Sequence, residues 1–182
     1  LAACNSADET PLTTPSPYPT PAPVTFIPPT PLPTLSPMPD PLLDQPAPDV
    51  TLTDLNGAPI RLRDYAGEIV FLNFWATWCA PCKEEMPALQ ALHDEHGADG
   101  MRVIAITNPD EGQSEDMIRA FVTDYDLTFT VALSSDAALY AQFGVAQIPM
   151  TVIIDRSGIV RVRHVGALHD HDITAYVDRL DN

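Results

Sequence analysis

Two cysteines, Cys79 and Cys82, are separated by Ala80 and Pro81 and follow an apolar run that begins at Ile69. A short, aromatic-rich run predicts a strand buried on both faces, and the residues after Cys79 predict a helix. Cys79 is then expected at the start of that helix, with Pro81 in its first turn, where a missing N–H does no harm. The first N–H groups of a helix are unpaired and carry the positive end of its dipole, so they stabilise a thiolate. Cys79 is therefore the candidate nucleophile.

Cys82 lies one helical turn further on and could close a disulfide after Cys79 has attacked a substrate. Two cysteines at this spacing could also be half of a zinc site or a plain stapling disulfide. Zinc needs about four ligands, and the only other cysteine, Cys4, lies in a tail of different composition. The strand-then-helix context favours a redox dithiol, with no cofactor beyond a Cys79–Cys82 disulfide. No metal site is predicted either, since three histidines near the end of the chain lack ligand spacing and fit capping or solvent: His164, His169 and His171.

The composition divides the chain in two. Residues 1–48 hold 15 of the 20 prolines, and residues 5–48 contain no Lys, Arg, Gly or His. Their apolar residues follow neither a helical nor a strand period, so this stretch cannot offset the entropy of ordering. We predict a disordered, partly polyproline-II tether over residues 5–45 and one folded domain over residues 46–182.

The tetrapeptide before the tether, Leu1-Ala2-Ala3-Cys4, resembles the lipobox of bacterial lipoproteins, in which cleavage before the cysteine leaves it lipid-modified. Lipidation of Cys4 would also account for the third cysteine. No apolar run reaches the roughly 18 residues of a membrane span. We therefore expect an extracytoplasmic protein that an acyl chain on Cys4 anchors to the bacterial cell membrane. Residues 49–182 hold 9 basic and 21 acidic residues, which argues against nucleic acid as a partner.

Strand and helix patterns alternate through the remaining sequence. The dipeptide Asn56-Gly57 predicts a β-hairpin ahead of the buried strand, and a later hairpin turn is expected at residues 155–158. This order predicts an α/β fold in which helices cover a central mixed sheet. The expected helices span about 80–96, closed by Gly97, and 114–125, 136–143 and 170–180. The second should turn a core face of Met117, Ile118, Phe121 and Tyr125 to the sheet.

The segment Asn73-Phe-Trp-Ala-Thr-Trp-Cys-Ala-Pro-Cys-Lys-Glu-Glu-Met-Pro87 resembles the active-site signature of the TlpA/ResA-like thiol–disulfide oxidoreductases, a membrane-held branch of the thioredoxin superfamily. Residues 47–52 and 56–62 resemble that family's N-terminal extension, and residues 143–158 resemble its later loop, strand and turn. The resemblance covers residues 46–182. It implies a thioredoxin fold with an N-terminal β-hairpin extension.

The resemblance also implies a substrate surface around Cys79. Pro149 matches the family's cis-proline, whose loop packs beside the two cysteines, and Ile148 would face the substrate. Trp78 would form an apolar platform, whereas Trp75 fits ordinary core packing. Met150 is a departure, since Thr is frequent there. The implied substrate-binding residues are Trp78, Ala80, Pro81, Ile148 and Pro149.

Asn73 is the more informative departure, because thioredoxins carry a buried Asp at the matching place, thought to manage the proton of the second cysteine. An amide cannot take that proton. Glu85, three residues after Cys82, shares its helix face, and in ResA-like proteins a Glu at this place is functional. The alternative is a solvated helix carboxylate, as expected for Glu84, which is rotated by about 100°.

Together these features predict a lipid-anchored thiol–disulfide oxidoreductase that reduces client proteins with disulfides. As the resemblance implies, apocytochrome c is a frequent client, and electrons would come from a membrane thiol reductase of the CcdA/DsbD kind. Three alternatives stay open. The same fold could act as an oxidase or isomerase, it could be a non-catalytic binding module with an idle dithiol, or it could be a thiol peroxidase, although a peroxide-activating Thr and Arg are not visible around Cys79.

Overall fold

The computed structural model describes residues 40–181, so Cys4 and most of the expected tether lie outside the described residues. Within this range the chain forms one seven-stranded sheet and four α-helices. The strands are β1 (Thr51–Asp54), β2 (Pro59–Arg61), β3 (Ile69–Trp75), β4 (Met101–Thr107), β5 (Thr130–Leu133), β6 (Met150–Ile154) and β7 (Val160–Val165). The helices are α1 (Ala80–His96), α2 (Glu115–Asp124), α3 (Ala137–Gln142) and α4 (Asp170–Leu180). None of these four helices combines the length and the apolar character that crossing a membrane requires.

The strands follow the spatial order β2-β1-β5-β4-β3-β6-β7. Strands β3, β4 and β5 run parallel to one another, whereas β1, β2, β6 and β7 join by antiparallel pairing. The expected mixed sheet and N-terminal hairpin are therefore both confirmed. Gly57 closes the hairpin at a φ of 84° and donates its N–H to the Asp54 carbonyl at 3.0 Å, a conformation that glycine adopts without steric penalty.

Strand β3 is the centre of the molecule, and all seven of its residues are buried. Its alternating side chains contribute to two cores, one on each face of the sheet. The face with Ile69, Phe71 and Trp75 packs against α1, α2 and α4. The other face packs against α3 and the N-terminal hairpin. Asn73 shares the first face, which turns its amide towards α1.

Helix α1 begins as expected, with Cys79 as the capping residue and a proline in the first turn. Its buried stripe contains Met86, Leu89 and Leu92, and the helix continues past Pro87. The end is as expected too, since the helix stops at His96 and Gly97 is its C-terminal cap. Gly97 keeps a right-handed φ of −59° and starts a short 3-10 turn, which ends at Gly100 with a left-handed φ of 80°.

The expected core face of α2 is wrong at two positions. Ile118 and Phe121 are buried, but Met117 is 51% exposed and Tyr125 is 38% exposed. Met117 precedes Ile118 by one residue, which turns it about 100° away from the sheet. Tyr125 lies just beyond the last helical turn and stacks on the outer side of Phe121, with ring centroids 4.2 Å apart.

Residues 40–47, here called the strap, lie along β7. The Asp44 N–H donates to the Val160 carbonyl at 2.8 Å, and the Val160 N–H donates to the Gln45 carbonyl at 2.9 Å. The Ala47 N–H donates to the Gly158 carbonyl at 2.9 Å. Residues 40–45, which the composition assigns to the tether, thus hydrogen-bond to the sheet. The tether over residues 5–39 stays a prediction.

The difference in burial between Met117 and Ile118 predicts a difference in how much each side chain stabilises the fold. We expect Ile118→Ala to lower the free energy of unfolding by about 2 to 5 kcal/mol, because it opens a cavity under α2. Met117→Ala should change it by no more than about 0.5 kcal/mol. Urea unfolding of the oxidised protein checks both values, and equal losses in the two variants would show that α2 packs in another rotation.

Candidate active site

The two cysteines lie where β3 gives way to α1. They form a disulfide, with the sulfurs 2.10 Å apart and the Cα atoms 5.3 Å apart. Cys79 has extended backbone angles, and its Sγ accepts the Cys82 N–H at 3.3 Å, so the helix end directs a donor at the sulfur that would carry the thiolate. Cys79 is 5% exposed and Cys82 is fully buried. Of the two residues, only Cys79 has any surface that a partner could reach.

Trp78 stands beside the pair and is 53% exposed. Its indole N–H donates to the Glu111 carbonyl at 2.7 Å, which fixes the ring on the loop between β4 and α2. A Cβ atom on Gly112 would lie 3.6 Å from the indole nitrogen, and Gly112 has a φ of 69°. Trp75 is buried, with its ring 4.8 Å from that of Phe121, which is the core position expected for it.

Gln113 is a residue of the site that no sequence pattern indicates. Its carbonyl oxygen accepts the Thr77 N–H at 2.8 Å. Its amide nitrogen donates to Thr107 Oγ1 at 2.7 Å and to the Asn108 carbonyl at 2.9 Å. The side chain is buried, so these bonds are strong and tie the segment before Cys79 to the end of β4.

The peptide bond between Ile148 and Pro149 is cis, as the resemblance implies. The antiparallel register puts Met150 opposite Phe74, so Pro149 falls at the end of the sheet from which the chain runs on to Cys79. A groove of about 480 Å³ extends from this point. It is lined by residues that include Trp78, Tyr140, Val145 and Ile148.

Val165 borders the same end of the sheet and was not expected there. It pairs with Met150 at the end of β7 and is half exposed. The next residue, Gly166, donates its N–H to the Pro149 carbonyl at 2.9 Å. A period-two pattern predicts a strand but does not show which of its ends lies beside the site. Only the tertiary structure therefore identifies Val165 as a neighbour of the cis-proline.

Glu85 is fully buried, and the interpretation as a solvated carboxylate is therefore wrong for it. Its Oε1 accepts the Asn73 side-chain N–H at 2.8 Å, and its Oε2 accepts the Leu168 N–H at 2.9 Å. Glu84 is exposed, as expected. Burial raises the pKa of Glu85 to about 7, although the hydrogen bonds from Leu168 and Asn73 oppose this rise.

Asn73 connects this carboxylate to the sheet. Besides Glu85, its amide nitrogen donates to Thr151 Oγ1 on β6 at 3.0 Å. The side-chain oxygen of Asn73, Oδ1, is buried and has no hydrogen-bond partner among residues 40–181. A carboxylate with a pKa near 7 can both take and return a proton at neutral pH. Glu85 lies one helical turn after the buried Cys82, so an ionisable carboxyl group is buried on the same face of α1 as the second cysteine.

Two of the three histidines have structural contacts, and the third, His171, is exposed and stacks on the His169 ring. His164 is 3.0 Å from the Tyr176 hydroxyl through Nδ1 and 3.3 Å from the Ala167 carbonyl through Nε2. The backbone N–H of His169 donates to the Asp172 carboxylate at 3.1 Å at the start of α4, which is the capping place expected for it. Across residues 40–181, no three His, Cys, Asp or Glu residues converge as metal ligands would.

The profile of the AhpC/TSA family matches residues 43–163. The thioredoxin-like protein YneN of Bacillus subtilis is 39% identical over 134 residues, which are 74% of this chain and 78% of that protein. The thiol-disulfide oxidoreductase ResA of Bacillus cereus is 34% identical over 134 residues, covering 74% of this chain and 76% of ResA.

Among solved structures, the exposed lipoprotein thioredoxin of Streptococcus pneumoniae superimposes with a TM-score of 0.63 and 28% identity. The match covers 73% of this chain and 100% of that one, and it supports the thioredoxin fold expected from the sequence. With the Cys79–Cys82 disulfide in place, the chain belongs to the AhpC/TSA family and, within it, to the thioredoxin-like thiol–disulfide oxidoreductases of the ResA kind.

Proposed function

We propose that this protein reduces the disulfides of extracytoplasmic client proteins. The observation that carries the proposal is the asymmetry of the pair, because Cys79 caps a helix and keeps some exposed surface while Cys82 is buried beside a carboxylate. The reduced protein would start the reaction with the Cys79 thiolate, which attacks one sulfur of the client disulfide. A mixed disulfide forms and one client thiolate leaves.

The second step uses Cys82. Its thiolate attacks the Cys79 sulfur, the client leaves as the second thiolate, and the Cys79–Cys82 disulfide remains. Two electrons have then passed from the dithiol to the client. Cys82 must first lose a proton, and the buried Glu85 is the acceptor that this mechanism needs. Asn73 supports that role by donating to the carboxylate.

The relatives and the resemblance together suggest the surrounding pathway. A membrane thiol reductase of the CcdA/DsbD kind would return the disulfide to the dithiol, and apocytochrome c, before its haem is attached, would be one client. Trp78, Ile148 and Pro149 would contact an extended client segment beside Cys79, with Ala80 and Pro81 completing that surface. The groove that Trp78 and Ile148 line supports this arrangement.

We further propose that acyl chains on Cys4 anchor the protein to the outer face of the cell membrane. The lipobox-like Leu1–Cys4 pattern and the Pro-rich stretch after it support this, as does the lipoprotein nature stated for the pneumococcal relative. One acyl chain alone binds membranes only marginally, so stable anchoring requires the multiple chains of a lipoprotein cysteine.

Substitution of Cys82 should trap the intermediate. Reduced Cys82→Ser should form a stable mixed disulfide through Cys79 with a disulfide-bonded peptide that carries the Cys-x-x-Cys haem-attachment motif, because the resolving thiol is gone. Cys79→Ser is the matched control and should form less than about a tenth as much adduct, because the buried Cys82 is poorly accessible. Non-reducing electrophoresis and intact-mass measurement quantify the adduct.

Two outcomes would contradict this part of the proposal. Equal adduct yields from Cys79→Ser and Cys82→Ser would show that Cys79 is not the attacking residue. A wild-type protein that oxidises the reduced peptide faster than it reduces the oxidised one would contradict the role as a reductant.

Substitution of Glu85 should change the pH dependence of the second step. Ellman's reagent reports both steps, since one thionitrobenzoate leaves when Cys79 attacks and a second leaves when Cys82 resolves the adduct. Glu85 accepts a proton only when ionised, so the wild-type rate of the second release should rise as the pH increases through about 7. In Glu85→Gln this inflection should disappear, and the rate at pH 8 should fall about 10²-fold.

Glu84→Gln removes the same charge from the adjacent, exposed position and should retain the wild-type profile. The first release serves as an internal reference for the reactivity of Cys79 in each variant. If Glu85→Gln kept the inflection near pH 7, another group would have to accept the proton.

Substitution of Cys4 tests the anchor. When the full-length precursor is produced in a bacterium, the wild type should be recovered in the membrane fraction and extracted by detergent, whereas Cys4→Ser should be released in soluble form. Mass spectrometry of the N-terminal peptide identifies the acyl chains. An unmodified Cys4 in the membrane-bound wild type would refute lipidation as the means of attachment.

A further inference from the structure

We propose that Arg163 is a positioning residue for client binding, because its guanidinium fixes both ends of the loop that carries Ile148 and Pro149. We propose in addition that Asp40, the first residue of the strap, holds this guanidinium in place. The inference rests on the proposed function, since the loop (residues 144–149, here called the cis-proline loop) is the surface offered to a client.

Arg163 on β7 reaches both ends of the cis-proline loop. Its Nη2 donates to the Gly144 carbonyl at 2.6 Å, where the loop begins. The same nitrogen lies 3.6 Å from the sulfur of Met150, which directly follows the loop, and a thioether is a weak acceptor. One nitrogen of a rigid, planar group therefore contacts both ends of the loop. Met150, the departure from the family pattern, supplies one of them.

Gly144 shows how closely the guanidinium approaches the backbone. A Cβ atom at this position would lie 2.7 Å from Arg163 Nη2, and the residue has a φ of 64°. Any side chain here would push the arginine away, and the left-handed conformation would also be strained. A glycine at the first position of the loop is thus what allows the arginine to reach the backbone there.

The strap supplies the counter-ion. Arg163 Nη1 forms an ion pair with Asp40 Oδ2, and the other carboxylate oxygen of Asp40 accepts the Leu42 N–H at 3.0 Å. Both charged side chains are largely buried, so the pair is less screened than a surface pair. Without Asp40, the guanidinium would lose its only charged partner among the described residues. The end of the Pro-rich stretch is therefore linked through one side chain to the cis-proline loop.

Arg161 provides an internal comparison. It lies two residues earlier on β7 and makes the same kind of contacts, pairing with Asp44 of the strap and with Asp155, each at 2.6 Å. None of the hydrogen bonds found for it in residues 40–181 reaches the cis-proline loop. Loss of Arg161 should therefore remove only the contacts with Asp44 and Asp155 and leave the Asp40–Arg163 pair and the loop in place.

The experiment compares two disulfides in the reduced full-length protein. An oxidised cysteine peptide must lie against the cis-proline loop, whereas 2-hydroxyethyl disulfide is small enough to react at Cys79 without it. Arg163→Ala should lower the second-order rate constant for the peptide about tenfold, since a shift of about 1 Å can cost up to 10²-fold. The rate constant for 2-hydroxyethyl disulfide should stay within about twofold. The ratio of the two rate constants is the readout, because general damage to Cys79 would lower both.

The other variants define the mechanism. Asp40→Asn should shift the ratio in the same direction by about threefold, since it keeps the shape of the side chain and removes its charge. Arg163→Lys should recover only part of the ratio, because one ammonium cannot reproduce the fork that binds Asp40 through Nη1 and the loop through Nη2. Arg161→Ala and Asp44→Asn should leave the ratio at the wild-type value.

The inference is overturned if Arg163→Ala slows both disulfides equally, or if Arg161→Ala shifts the ratio as much as Arg163→Ala does. Should Arg163→Ala fail to fold by circular dichroism, Asp40→Asn decides, and an unchanged ratio in that variant rejects the inference. A wild-type protein that reduces neither disulfide would instead reject the proposed function.

Discussion

The hydrogen bond from Asn73 to Glu85 joins the central strand to the helix that carries both cysteines. A carboxylate without contact to solvent is unfavourable unless donors compensate its charge. Here the Asn73 side chain donates to one carboxylate oxygen of Glu85, and the backbone N–H of Leu168 donates to the other. An Asp at position 73 would set a second carboxylate against the first, and one of the two would have to stay protonated. The side-chain amide of Asn73 on β3 and the carboxyl group of Glu85 on α1 are therefore one linked choice, in which the ionisable group lies on α1 and its donor on β3.

How far the sequence predicts this site depends on how local each contact is. The helix start at Cys79, the Asn56-Gly57 hairpin and the buried stripe of α1 follow from short-range rules of capping, turn chemistry and periodicity, and all three are confirmed. Gln113 acts on Thr77 from 36 residues away, and Glu85 is held by Leu168 from 83 residues away. No local pattern encodes such distances. The helical face shared by Cys82 and Glu85 was predictable, whereas the burial of that face depends on the later segment that covers it.

The error in α2 has a related cause. Periodicity indicates an apolar direction on a helix, but the width of the buried stripe depends on how many neighbours the helix meets. Helix α2 spans only ten residues and packs against the sheet through a narrow stripe that contains Ile118 and Phe121. Met117 therefore remains on the outer side although its side chain is apolar. An exposed apolar residue of this kind needs no special explanation in a soluble domain.

Different hydrogen bonds position Cys79, the proposed nucleophile, and the cis-proline loop, the proposed client-binding surface. Gln113 ties the segment before Cys79 to β4, while Gly166 and Arg163 tie the cis-proline loop to β7. The two sets share no residue, so a substitution in one can change client recognition and leave the acidity and reach of the sulfur as they were. The strap enters only the second set, through Asp40. Among the described residues, the strap thus meets Arg163, which holds the cis-proline loop, and makes no hydrogen bond to Cys79 or Cys82.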